Sequence, residues 1–169
     1  MRELVLRLQR EGGHTTVFVT HDQEEAVVLA DRIALVFDGR LQMYDRPEAF
    51  YDRPATSEVA RFFGATNFIQ GRARNGFVST PFGALRLEAA APPGAVTLTI
   101  RPEAVRLEAG ENSFAAHVTS AAYLGTQVHY GLEIPGADLR AALPPHVRLA
   151  VGDEVTARLP AESLWVLRA

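Results

Sequence analysis

The chain has 169 residues, an apolar fraction of 47% and a formal charge of -3, which suits one ordinary soluble domain or two small ones with a core to bury. Without a basic surplus it excludes a general affinity for nucleic acid or anionic membrane, since either partner needs clustered cations against its phosphates. All 17 basic residues are arginine and there is no cysteine, so disulfides, thiol catalysis and thiolate metal sites are excluded as well.

The first residues, beginning with Arg2 and Glu3, do not form an apolar leader, and no run approaches the ~20 apolar residues of a bilayer span. Any work at a membrane therefore calls for a partner to hold the chain there. Leu4, Val5 and Leu8 share one face of a predicted helix that ends at Gly12 and Gly13. Thr15 to Thr20 is β-branched and reads as a buried strand. Asp22 and Glu25 have capping-box spacing, so a helix is predicted directly after His21, running through Ala26, Val27 and Ala30. Ile33 to Phe37 reads as a strand, and Asp38-Gly39 supplies turn chemistry for a hairpin into Leu41 and Met43. Pro47 opens a short helix through Tyr51, and a second helix from about Thr56 ends at Gly64.

Beyond Asn67 the pattern changes to short strands separated by Gly, Pro and Asn, so a domain boundary is expected near Gly64. Asn75-Gly76 is a hairpin turn between Ile69 to Arg74 and Phe77 to Thr80, and Val96, Leu98 and Ile100 alternate with polar residues as in a half-buried strand. Further strands are predicted near Ala115 to Tyr123, Thr126 to Ile134, Leu139 to Leu143, Glu154 to Leu159 and Leu164 to Arg168, with Ala89 to Gly94 as an exposed connector. The expected fold is an α/β segment over residues 1–64 followed by an all-β small barrel or sandwich over 65–169.

A strand, a histidine at its carboxyl end and a capped helix form an arrangement in which α/β proteins place ligand-binding groups. By itself a histidine so placed is more often a structural hydrogen-bonding residue than a catalytic one. The longer string Val17-Phe18-Val19-Thr20-His21-Asp22-Gln23-Glu24-Glu25-Ala26, then Leu29-Ala30-Asp31-Arg32-Ile33 and Asp38-Gly39-Arg40, resembles the switch-histidine segment of ABC ATPases. Pro47-Glu48, Tyr51, Pro54 and Phe62-Phe63-Gly64 continue the resemblance into importers with an appended regulatory domain. Ile100-Arg101-Pro102-Glu103, Ala122-Tyr123-Leu124-Gly125-Thr126 and Leu164-Trp165-Val166-Leu167 resemble the transport-associated OB-like domain behind such ATPases.

The resemblance implies that His21 is a catalytic and cofactor-contacting residue, meeting the γ-phosphate and the attacking water. It implies that Asp31 lies at a subunit contact; the alternative, a solvated carboxylate after a helix, stays open. It further implies ATP and Mg as cofactors of an intact parent. The implied partners are a second ATPase subunit in a homodimer, membrane permease subunits and, through them, a solute-binding protein. The implied place is cytoplasmic, at the inner face of the cell membrane. Gly64-Ala65-Thr66-Asn67-Phe68-Ile69 looks most like branches that handle polyamines, ferric iron or related small solutes, with sugars, sulfate and phosphonates left open.

Asp38 imitates a magnesium-binding aspartate after an apolar strand, but Gly39 makes it a turn residue. His117, His129 and His146 share no metal-ligand spacing, so no metal site is expected. Arg101 and Arg106 read as solvated or ion-paired strand residues. A phosphate-cradling loop of the pattern G-x-x-x-x-G-K-[ST] requires a lysine, which this chain does not have. The chain alone is therefore expected to be inactive toward ATP, with its first strands exposing edges that invite self-association. Two competing readings are a stand-alone barrel that binds a small oxyanion and a remnant of a disrupted gene.

Overall fold

A computed structural model describes residues 7–9, 11–13 and 15–167. By their contacts the residues divide into two compact units, Met1–Phe63 and Gly64–Ala169.

In the first unit residues 7–9 and 11–12 are helical, while Leu4 and Val5 of the predicted helical face lie outside the described residues. The strand expected over Thr15 to Thr20 is not formed. The segment has no regular structure, and Val17, Phe18 and Val19 are 88%, 53% and 90% exposed. A β-branched run lowers the cost of an extended backbone but cannot supply the neighbouring strand that would satisfy its main-chain groups. Helix α1 (Gln23–Leu29) follows, capped by Asp22, whose Oδ1 accepts from the Glu25 N–H at 3.1 Å.

Strands β1 (Ile33–Phe37) and β2 (Arg40–Asp45) form an antiparallel hairpin whose turn residues Asp38 and Gly39 both take positive φ, 49° and 71°. That left-handed pair is what a two-residue hairpin turn demands. Pro47 is the first residue of α2 (Pro47–Asp52), and the Thr56 hydroxyl accepts from the Val59 N–H to cap α3 (Ser57–Phe62). Ile33, Leu35, Phe50, Val59 and Phe63 pack into a small core, with Phe50 against Phe63 at 5.1 Å between ring centres. The unit is thus a hairpin packed with short helices. Among its described residues there is no parallel sheet, so the α/β architecture expected for this part is not shown.

The second unit is all β apart from two single 3-10 turns, Pro102–Ala104 and Ala161–Ser163. One five-stranded sheet has the order β12 (Trp165–Leu167), β6 (Gly94–Ile100), β3 (Asn67–Arg74), β4 (Phe77–Thr80), β5 (Gly83–Arg86). The other has the order β10 (Ala137–Leu143), β9 (Val128–Ile134), β8 (Ser113–Tyr123), β11 (Glu154–Arg158), β7 (Arg106–Leu107). All pairings are antiparallel. One shared core, centred on Leu98, Ile100, Val118, Leu132, Ile134 and Leu159, takes side chains from both sheets. This is the OB-like arrangement that the family resemblance implies; the strand spacing alone left a barrel or a sandwich open.

Differences from the sequence reading concern short elements. β5 and the two-residue β7 carry too little alternation to be seen, and β9 begins at Val128 because Gly125, at φ 83°, and Thr126 form the turn after β8.

Candidate functional site

His21 stands between two residues whose side chains are locally tied. The Thr20 hydroxyl donates to Glu25 Oε2 at 2.8 Å and accepts from the Asp22 N–H at 3.0 Å. Together with the Asp22 cap this fixes the backbone on both sides of the histidine. The imidazole itself is exposed, and among the described residues nothing hydrogen-bonds to it.

Asp31 is also exposed and follows the opposite end of α1, where the Ala30 N–H reaches the Ala26 carbonyl. A seven-residue helix separates the two residues by roughly 10 Å along its axis. His21 and Asp31 are therefore held by one element but do not form one site.

Asp38 sits at the left-handed position of the β1–β2 turn. Gly12 and Gly13 lead into residues 15–20, which have no helix at whose N-terminus a phosphate could rest. The chain has no lysine for a phosphate-cradling loop of the pattern G-x-x-x-x-G-K-[ST].

In the barrel, Arg106 lies 4.0 Å from Glu108, which also meets Arg158. His117 and His129 are on β8 and β9 and His146 is in the loop after β10. Among the described residues no group of His, Asp or Glu is placed to hold a metal ion, and no helix is long and apolar enough to cross a membrane.

Two residues passed over in the sequence reading organise the barrel. Asn67 is buried, and its Nδ2 donates to Ile100 O at 3.1 Å and to Arg140 O at 2.9 Å while its Oδ1 accepts from Arg140 N at 2.7 Å. Asn112, at φ 59°, does the same to β5, accepting from Arg86 N at 2.8 Å and donating to Arg86 O at 2.9 Å and Leu159 O at 3.0 Å. A lone asparagine at the head of an apolar strand was the available signal, since a buried amide requires partners.

Residues 98–167, which lie within the second unit, match the TOBE domain. The chain is 43% identical over 140 residues to the spermidine/putrescine import ATP-binding protein PotA of Rubrobacter xylanophilus, covering 76% of this chain and 37% of the relative. It is 39% identical over 175 residues to PotA of Ruegeria pomeroyi, covering 96% of this chain and 48% of the relative. It is 37% identical over 164 residues to the Fe(3+) ions import ATP-binding protein FbpC of Streptomyces coelicolor, covering 93% and 45%. The chain belongs with these ATP-binding subunits of ABC importers, related to them along most of its own length and spanning less than half of theirs. A solved structure of the cytoplasmic molybdate-binding protein ModG shares the fold, with a TM-score of 0.52 at 14% identity over 60% of this chain and 94% of that one.

Proposed function

We propose that this chain is the C-terminal part of the ATP-hydrolysing subunit that powers an ABC importer. In this reading residues 1–64 are the end of the nucleotide-binding domain and residues 65–169 the regulatory barrel. The carrying observation is the 39% identity to a PotA across 96% of the chain, which includes the segment around His21 as well as the barrel. Relatives named for spermidine/putrescine and for ferric iron make those two solutes the leading cargo.

His21 then acts in the assembled parent, which supplies ATP and Mg, as an imidazole donor at a terminal phosphate. Phosphoryl transfer asks for positioned donors more than for covalent chemistry. An exposed ring between two hydrogen-bonded neighbours supports this, because the group is free to meet parts that complete the site. Asp31 serves at the contact with a second ATPase subunit. The permease holds the assembly at the inner face of the membrane and links it to the solute-binding protein.

The test is a chimera in which this chain replaces the aligned part of a PotA relative. The chimera should hydrolyse ATP, the chain alone should show no turnover above background, and His21→Ala in the chimera should lower turnover by about 10²-fold or more. An active chimera indifferent to His21→Ala would refute the assigned role.

A further inference from the structure

The meander β3–β4–β5 differs in charge from the chain as a whole. From Asn67 to Leu87 the sequence holds three arginines, Arg72, Arg74 and Arg86, and no acidic residue, in a chain whose formal charge is -3. Strand alternation sorts these residues by face. Ile69, Ala73, Val78 and Leu85 belong to the shared core, so Arg72, Arg74, Phe77, Ser79, Ala84 and Arg86 stand on the outer face, where every one of them is exposed.

The register sets them in two rows. Arg74 pairs with Phe77, which pairs with Arg86, and Arg72 pairs with Ser79, which pairs with Ala84. An exposed phenyl ring therefore has an arginine on each side, since residues directly opposite in such ladders have Cβ atoms roughly 4.5–5.5 Å apart. Arg86 is engaged, its Nη1 lying 3.0 Å from Glu111 Oε1. Among the described residues the guanidinium groups of Arg72 and Arg74 have no ion pair or hydrogen bond, and no ring or cation is stacked on Phe77. Two exposed rings elsewhere are covered by the chain's own arginines, Tyr44 by Arg32 at 5.6 Å and Tyr123 by Arg148 at 5.7 Å. Phe77 is left open between two.

We propose that this face docks an extended, acidic segment of a partner protein, whose carboxylates meet Arg72 and Arg74 and one of whose apolar side chains covers Phe77. The match is one of charge and of spacing. Arg72 and Arg74 are two positions apart on one strand, about 6.6 Å, which is the repeat of alternate side chains in any extended peptide. Each guanidinium presents a planar fork of donors to a carboxylate, and the ring supplies the apolar contact that fixes the segment beside them. A nucleic acid is the poorer occupant, because its affinity grows with the number of phosphates neutralised and only two guanidinium groups are open here. The inference does not depend on the importer reading.

Fluorescence anisotropy of the full chain with the labelled peptide Glu-Ser-Glu-Ser-Phe-Ser tests it. The peptide should bind saturably at low salt and weaken as salt rises, since exposed charges are screened. Arg72→Glu and Arg74→Glu should each lower its affinity by about fivefold or more, and Phe77→Ala by about threefold, with the thermal midpoint kept. Arg140→Glu makes the same change of charge at an exposed arginine on the other sheet and should alter affinity by less than about twofold. A loss at Arg140→Glu as large as at Arg74→Glu would mean that the peptide senses only overall charge, and overturns the proposal. So does an absence of saturation up to about 1 mM peptide. Equal binding of the same peptide with lysine in place of glutamate, or tighter binding of a short oligothymidylate, overturns it as well.

Discussion

The carboxamide of Asn67 treats Arg140 as a strand neighbour, accepting from its N–H at 2.7 Å and donating to its carbonyl at 2.9 Å. Arg140 is on β10, at the end of one sheet, and Asn67 opens β3 in the other. One side chain thus completes a ladder that two backbones do not. Asn112 repeats the device at Arg86 on β5, so the sheets are stapled at two places by amides.

Removing either staple should be costly out of proportion to its size. Asn67→Ala leaves Arg140 N and O and Ile100 O without their buried partner and should lower stability by about 2–4 kcal/mol. Asn112→Gly loses the corresponding bonds while keeping the φ of 59° available, so Asn112→Ala should be worse by a further ~1 kcal/mol. Urea titration of each variant reads both values; an Ala variant as stable as the Gly variant would show that the left-handed backbone is not a constraint here.

Two glycines in the barrel should respond differently to the same change. A Cβ at Gly71 would stand 2.7 Å from the Ser79 carbonyl, which is fixed by the β3–β4 ladder, whereas at Gly131 the nearest atoms are the hydroxyls of Ser120 and Thr119, at 2.5 and 2.7 Å. A hydroxyl can rotate and a ladder carbonyl cannot. Gly71→Ala should therefore cost about 1–3 kcal/mol, and Gly131→Ala less. Thermal melts of the pair decide it, and the reverse order would contradict the packing described.

Phe50 is fully buried in a core made of few residues, so Phe50→Ala should remove about 3–5 kcal/mol. That loss is enough to unfold a unit of this size. Hydrogen exchange should show residues 33–63 losing protection while the amides of β6 and β9 keep theirs. Equal loss in both regions would mean that the two units fold as one.

Val17 and Val19 are almost wholly exposed, and the run from Thr15 to Thr20 carries no charge. Such a segment invites strand addition and association. Val19→Asp should reduce sedimenting aggregate several-fold at high concentration without shifting the thermal midpoint, since no packing is lost. Unchanged association would locate the sticky surface elsewhere.

The legible parts of the fold were those that local chemistry decides. Asp38-Gly39 and Asn75-Gly76 announce left-handed turns, and all four residues take positive φ. Asp22 and Thr56 announce helix starts and do cap them. The alternation over Val96 to Ile100 and the strands around it place the apolar residues of the barrel core. The segment before His21 was misread because its composition suits a strand, yet strand formation depends on a neighbour that composition does not contain.

Of the candidate site, the sequence alone determined the landmarks: which residues surround His21, that lysine is missing, and that a β-rich unit follows. Tertiary structure alone decided that His21 is presented to solvent, that His21 and Asp31 are kept apart at the two ends of α1, and that Asn67 and Asn112 close the sheets. Caps and turns are settled among residues a few positions apart, so they can be read along the chain. Sheet edges, buried amides and the exposure of a ring depend on residues tens of positions away, such as Arg140 for Asn67, and only folding brings those together.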